Sequence, residues 1–409
     1  MLYGKSRDPE LAEFLHWLAA TIRQQAIDVL IIAGDVFDHS LPSHRSQALY
    51  YRFLCEVVAS NCRHVIVVAG NHDSPTLLNA PQELLKALNV YVIGQATADP
   101  CDEVLILRDA QQVPELIVCA VPYLRDRDLR RVTAGETLAD KERKLIAGIA
   151  DHYAAVADCA KQHQDALGGT VPIVATGHLF TAGGQTQAED GVRSLYVGSL
   201  AQVGINSLPN CFDYLALGHL HVPQMVNGCP TIRYSGSPLP MSFREATQQK
   251  SLCCVDLNST PTRVDLIPVP QFQPLEWIQG DWQHIRARLH ELTCAESTAW
   301  LEIVYNGQDI IGDLRSQLEA LVEPTAMQLL RIRDQRRLER VLAAVTAKET
   351  VAELTAEMVF ERCLVAHEIP EHQHDALWHA YREIITALQE DDSRAQKLNA
   401  DTSTSLHQS

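Results

Sequence analysis

Apolar residues recur at helical spacing over Leu11, Phe14, Leu15 and Leu18, then close up into the run Asp28-Val29-Leu30-Ile31-Ile32-Ala33, which stops at Gly34-Asp35. The change of period predicts a helix followed by a strand buried on both faces. The cycle repeats: Tyr50 to Val58 reads as a helix, and His64-Val65-Ile66-Val67-Val68-Ala69 as a second strand running into Gly70-Asn71-His72-Asp73. After a more irregular stretch from about 95 to 170, Pro172-Ile173-Val174-Ala175-Thr176 leads to Gly177-His178, and Asp213-Tyr214-Leu215-Ala216-Leu217 to Gly218-His219-Leu220-His221. Four predicted strands therefore deliver polar residues at their C-terminal ends, where open α/β sheets bind ligands.

Strand-like segments at Thr231 to Tyr234 and Leu252 to Leu257 continue this domain up to the Pro-rich stretch 268–274, which places a boundary near 270. Beyond it the pattern predicts helix (Trp282 to Leu292), strand (Trp300 to Tyr305), helix (Ile310 to Leu321) and strand (Met327 to Arg333). Residues 271–345 thus read as a small α/β domain. Segment 346–390 reads as two amphipathic helices broken at Glu368-Ile369-Pro370, the second carrying Leu377, Tyr381, Ile384, Ile385 and Leu388 on one stripe. That stripe suits packing on its own domain and docking a partner helix equally well. The tail 391–409 is polar.

Composition narrows the class. With 46% hydrophobic residues in 409, the chain can bury the cores of more than one domain, and no apolar run approaches a membrane span. A soluble, cytoplasmic protein is expected. The 11 cysteines are scattered, with no C-x-x-C pair, so neither a disulfide framework nor a structural zinc site is expected. The formal charge of −17 argues against coating nucleic acid by bulk charge. It leaves room for a nuclease, because bound divalent cations supply positive charge locally.

Taken singly, a strand-end Asp is an ordinary helix cap and a lone His an ordinary surface group. Together, Asp35, Asn71, His72, His178, His219 and His221 all lie at strand ends beside or just beyond a Gly. All are hard-oxygen or imidazole donors, a mix that suits Mn²⁺ or Fe²⁺, with Zn²⁺ an alternative. A carboxylate bridging two such ions fits in-line phosphoryl displacement, so phosphate ester hydrolysis is the expected chemistry.

Gly34-Asp35-Val36-Phe37-Asp38, Gly70-Asn71-His72-Asp73, Gly177-His178 and Gly218-His219-Leu220-His221, in that order, resemble the calcineurin-like metallophosphoesterase superfamily. Tyr234-Ser235-Gly236-Ser237-Pro238, the accessory domain and the terminal helix pair narrow the resemblance to the SbcD family, the nuclease subunits of bacterial SbcCD complexes. The resemblance implies a layered α-β-β-α sandwich, a small α/β capping domain and a C-terminal helix pair. It implies two divalent ions, with Mn²⁺ expected: Asp35 bridging them, Asn71, His178 and His219 completing one, and His221 serving the other. His72 would contact the phosphate and protonate the leaving oxygen. Asp73 would either orient His72 or simply cap the following helix.

The sequence departs from the family pattern in one place. Members begin with a strand ending in Asp-x-His, which supplies two further ligands to the ion held here by His221. Met1-Leu2-Tyr3-Gly4-Lys5-Ser6-Arg7 resembles the family's sequence just after that motif. The expectation is a chain that starts late, through a misassigned start, a truncation or a natural loss, and that is less stable and less active than a longer form. Asp8 and Asp38 are the nearby carboxylates with any prospect of substituting.

Candidate DNA contacts are Arg125, Arg127, Arg130 and Arg131, and Arg331, Arg333, Arg336, Arg337 and Arg340, with a solvated, salt-bridged surface as the alternative. No P-loop motif is present, so any ATP use falls to a partner. The resemblance implies that partner to be SbcC, a coiled-coil ABC ATPase bound by the helix pair through Leu377, Tyr381, Ile384 and Leu388. It also implies a homodimer of nuclease subunits within a heterotetramer. The activity implied is ATP-dependent 3′ to 5′ exonuclease action on double strands and endonuclease action on single strands. That includes hairpin opening, in DNA replication, recombination and repair. The rival readings are a small-nucleotide phosphodiesterase and a catalytically impaired binding subunit.

Overall fold

A computed structural model describes residues 1–129, 137–181, 203–307, 309, 311 and 313–335, together with 360, 361, 364, 374, 377, 378 and 381. The chain forms two compact units. One comprises Met1–Ile278, Leu289–Glu302 and Asp313–Arg331, the other Gln279–Arg288, Ile303–Gly312 and Ile332–Ser409.

The strands are β1 (Val29–Ala33), β2 (His64–Val68), β3 (Val90–Ile93), β4 (Val104–Arg108), β5 (Pro114–Cys119), β6 (Ile173–His178), β7 (Tyr214–Gly218), β8 (Gln224–Val226), β9 (Cys229–Tyr234), β10 (Ser251–Asp256) and β11 (Arg263–Pro268). They are followed by β12 (Leu275–Gly280), β13 (Trp300–Tyr305) and β14 (Gln328–Asp334). They make a three-stranded sheet β1-β2-β3, a six-stranded sheet β4-β5-β6-β7-β9-β8, the ribbon β10-β11 and the accessory sheet β12-β13-β14. β1, β2 and β3 pair in parallel, as do β5, β6, β7 and β9, so their C-terminal ends share one edge in each sheet.

The period of two along each strand sorts its side chains into layers. Ile66 and Val68 of β2 face Leu116 and Val118 of β5 and Val174 of β6, forming a core between the two sheets. Their sequence neighbours Val65 and Val67 face the other way, onto Ala19 and Ile22 of the helix Asp8–Gln24 and Phe53, Leu54 and Val57 of the helix His44–Val58. On the far side, Ile117, Cys119, Ile173 and Ala175 pack against Leu145, Ile149, Tyr153, Val156 and Ala160 of the helix Leu138–Ala166. The result is the layered α-β-β-α sandwich that the family resemblance implied. Strands buried on both faces explain the unbroken apolar runs.

Two features depart from the sequence reading. The stretch that looked irregular contains β4, β5 and the whole of the 29-residue helix Leu138–Ala166. Its buried stripe is partly built of small residues such as Ala157 and Ala160, which give a weak amphipathic signal. Cys101 and Cys159 form a disulfide, with Cα atoms 5.5 Å apart, although no spacing rule links positions 58 residues apart.

Among the described residues no helix is long and apolar enough to cross a membrane. In the second unit, Phe360 stacks on Tyr381 with centroids 4.1 Å apart and meets Trp378 edge-on at 5.0 Å. These are helical positions of the predicted pair, and Leu364 beside them is buried. Ile384, Ile385, Leu388 and the tail lie outside the described residues, as do Arg130, Arg131, Arg336, Arg337 and Arg340.

Candidate active site

β1 ends in Ala33 and hands the chain to Gly34 and Asp35, both at positive φ (91° and 50°). A side chain at Gly34 would strike the His178 ring and Gly70, and one at Gly218 would strike the Ala33 carbonyl. The glycines of the motifs are therefore needed for close approach of β1, β6 and β7 at their C-terminal ends. His219 also has positive φ (101°), and such strained non-glycine positions gather at functional sites.

The strand ends bring Asp35, Asn71, His72, His178 and His219 together. His178 Nδ1 donates to the Ala33 carbonyl at 2.9 Å. Its Nε2 faces Asn71 Oδ1 at 2.9 Å and Asp35 Oδ2 at 3.2 Å. His219 Nδ1 lies 3.1 Å from the same Asn71 oxygen, and among the described residues its buried Nε2 has no hydrogen-bond partner. The other Asp35 oxygen accepts from the His72 amide at 3.0 Å. Ligand atoms of Asp35, His178 and His219 all fall within 4.8 Å of one another.

Electrostatics follows from this packing. Burial works against charge on Asp35, but the neighbouring His178 charge and hydrogen bond and the His72 amide outweigh it and bring the carboxyl down to about 2. Burial likewise disfavours charge on His178, and Asp35 overrides it, raising that imidazole. His219 is pushed down to about 3 by burial and then by the His178 charge, so it is a neutral donor.

A divalent cation fits this donor set. His178 meets three oxygen acceptors with two ring nitrogens, and a neutral imidazole has only one N–H to offer. Once Nδ1 is committed to Ala33, the space between Nε2 and the oxygens calls for a proton or another cation. His219 Nδ1, which faces the same Asn71 oxygen, the carboxylate and the amide oxygen complete a hard, mixed N/O set.

Other expected residues are placed differently. Both Asp73 oxygens are occupied by backbone amides, of Gly70 at 2.8 Å, Val36 at 3.1 Å and Phe37 at 3.0 Å, so this carboxylate ties the loop after β1 to the loop after β2. The structure thus gives Asp73 a different part from orienting the His72 ring. That ring is held through Nδ1 by the Asp38 carbonyl at 2.7 Å. Asp8 is engaged in an ion pair with Arg45. His221 is half-buried two residues beyond His219, its Nδ1 directed at Glu245.

Arg125 donates to the Asp73 carbonyl at 3.2 Å, which puts one predicted arginine beside the His72 loop. Arg127 pairs with Asp128, and Arg331 is taken up by the Tyr3 hydroxyl and Glu302. The sequence reading missed Glu245, Lys250 and the Ala33 carbonyl. A carbonyl has no sequence signature, and no periodicity links Glu245 to His221.

Strand-end imidazole, amide and carboxylate donors that converge on one point, on an α-β-β-α sandwich, define a divalent-metal-dependent phosphoesterase. The family of calcineurin-like phosphoesterases matches residues 6–223, and the type 5 capsule protein repressor C-terminal domain matches residues 271–368. The SbcD component of nuclease SbcCD from Escherichia coli (strain K12) is 36% identical over 391 residues, covering 94% of this chain and 95% of that one. The proteins of the same name from Rhodobacter capsulatus and Bacillus subtilis are 34% and 35% identical, over 66% and 62% of this chain and 68% and 62% of their own. A beta-glucosidase from Exiguobacterium marinum aligns at 8% identity over 79% of this chain and 78% of that one, with a TM-score of 0.19, too weak for any fold argument. The chain belongs to the SbcD family of calcineurin-like phosphoesterases, hydrolases of phosphodiester bonds.

Proposed function

We propose that this chain is the DNA-cleaving subunit of an SbcCD-type complex, using two divalent cations, Mn²⁺ foremost. It would act with an SbcC-type ATPase as an ATP-dependent 3′ to 5′ exonuclease on duplex DNA and as an endonuclease on single strands and hairpins. The observation that carries the reading is the convergence of Asp35, Asn71, His178 and His219 around one point, with the His178 ring pinned by Ala33.

Cations held there would supply Lewis-acid activation of the phosphodiester and of the attacking water. Asp35 would be held by both ions, contributing an ionised carboxylate with one oxygen beside His178 and the other accepting from the His72 amide. Asn71, His178 and His219 would complete one ion, and His221 would serve the other. His72, with Nδ1 anchored on Asp38, presents Nε2 as the nitrogen that hands a proton to the leaving oxygen. Asp73 keeps the two catalytic loops in register. Arg125, held beside the His72 loop by the Asp73 carbonyl, would meet a DNA phosphate there.

The helix pair would present the partner-binding surface, with Leu377 and Tyr381 among its anchors. The groove lined by Tyr51, Leu54, Leu84, Leu85 and Leu88, with Leu84 69% exposed, fits pairing with a second copy. The test is Mn²⁺-dependent cleavage of a hairpin-ended duplex by the chain plus an SbcC-type partner and ATP. Cleavage lost in Asp35→Ala is the expected result. Cleavage that survives that substitution, or that needs no divalent ion, would overturn the reading.

A further inference from the structure

We infer that Glu245 is the positioning residue for His221: its Oε1 accepts the ring's Nδ1–H and thereby leaves Nε2 bare as the nitrogen that meets the second ion. The inference rests on the reading of His221 as a ligand and adds the group that fixes its tautomer.

Glu245 is fully buried in the connection between β9 and β10, and Lys250 beside it is 3% exposed. The two carboxylate oxygens are used unequally. Oε2 accepts from Lys250 Nζ at 2.5 Å, the Met241 amide at 3.1 Å and the Ser237 hydroxyl at 3.4 Å. Among the described residues, Oε1 has no hydrogen-bond partner, and neither does the buried Nδ1 of His221, which lies 3.6 Å away. Two orphaned buried atoms that face each other, one an acceptor and one able to carry a proton, are a hydrogen bond short of closing by a few tenths of an ångström.

The backbone of the same residue is gripped as well. Lys250 Nζ and the Ser237 amide both donate to the His221 carbonyl, at 2.9 and 3.0 Å. One network therefore holds both the main chain and the ring of His221. A carboxylate on the far nitrogen of a metal-binding imidazole fixes the tautomer and makes the near nitrogen more basic.

Glu245→Gln separates this role from that of a mere counter-ion for Lys250. The amide has one acceptor end and one donor end, and charged Lys250 claims the acceptor. Its NH₂ then faces Nδ1, driving the ring proton onto Nε2 and blocking the ligand position.

The experiment titrates Mn²⁺ calorimetrically into the full chain as wild type, Glu245→Gln, His221→Ala and the double variant, with metal-free thermal unfolding of each. The ¹⁵N-histidine spectrum of the metal-free wild type is recorded at a pH where the ring is neutral, with His221 assigned by its loss in His221→Ala. The expected result is one of two binding events weakened about 10- to 100-fold in Glu245→Gln. That same event should be lost in His221→Ala with no further loss in the double variant, and the wild-type ring should carry its proton on Nδ1.

If His221→Ala keeps both events, the reading of His221 as a ligand fails and the inference with it. If His221→Ala loses one event while Glu245→Gln binds as wild type, or weakens both events equally, the inference alone is overturned. Should Glu245→Gln not fold, the wild-type spectrum decides: a proton on Nε2 refutes the positioning role and a proton on Nδ1 sustains it.

Discussion

Asp35, Asn71, His178 and His219 stand on backbone already committed to the cores of two packed sheets, whereas His221 leans on Glu245 and Lys250, which come from the connection between β9 and β10. In the first group each residue touches another member: Asn71 meets both imidazoles, and Asp35 meets His178 and the His72 amide. In the second, the decisive contact is still open at 3.6 Å. The strand-end half has its geometry set by the fold, at the cost of positive φ at Asp35 and His219. The loop half has its geometry set by a few buried polar groups, and so depends on each of them.

Substitutions should expose that asymmetry. Asp35→Ala removes the residue proposed to serve both ions. Several kcal/mol of transition-state stabilisation at about 1.4 kcal/mol per decade predicts a loss of ~10³-fold or more in kcat for phosphodiester cleavage. The metal-free Tm at neutral pH should fall too, because the contacts with His178 and the His72 amide that hold this carboxyl down are lost. His72→Gln takes away the proposed proton donor while leaving the metal donors in place. A loss of about 10²-fold or more in kcat is expected, with Mn²⁺ binding by calorimetry as in wild type. Asp73→Asn places an NH₂ among three amide donors that want an acceptor. A stability loss of about 1 to 3 kcal/mol in denaturant unfolding is expected, the penalty of an unsatisfied buried group. The smallest effect should come from Tyr381→Ala, which forfeits aromatic contacts with Phe360 and Trp378 worth about 0.5 to 1.5 kcal/mol each and should leave Mn²⁺ binding by calorimetry unchanged.

Much of the first half was legible in the sequence, because a strand buried on both faces announces itself as an apolar run and its end is marked by Gly followed by a polar donor. Asp35, Asn71, His72, His178 and His219 all stood out in that way. What stayed hidden depends on three-dimensional parity and on groups without a signature. The split of the strands into two face-to-face sheets follows from whether Val65 or Ile66 faces a helix, and an unbroken run carries no alternation from which to read it. The Ala33 carbonyl, the Asp38 carbonyl and the amides that occupy Asp73 are backbone atoms, invisible to residue type. Glu245 and Lys250 lie outside any strand-end motif, so their link to His221 exists only in the folded chain.

The hydrogen bond from His178 Nδ1 to the Ala33 carbonyl joins β6 of the larger sheet to β1 of the smaller one. An ion held by the other nitrogen of that ring and by Asp35 would tie the two sheets together as well. Occupancy at 100 times Kd would add about 2.7 kcal/mol to the stability of the folded sandwich, because the ion's donors come together only in the folded chain. A cavity at Ile66, buried in that core, would lower the stability of the sandwich, and a bound ion would offset part of that loss.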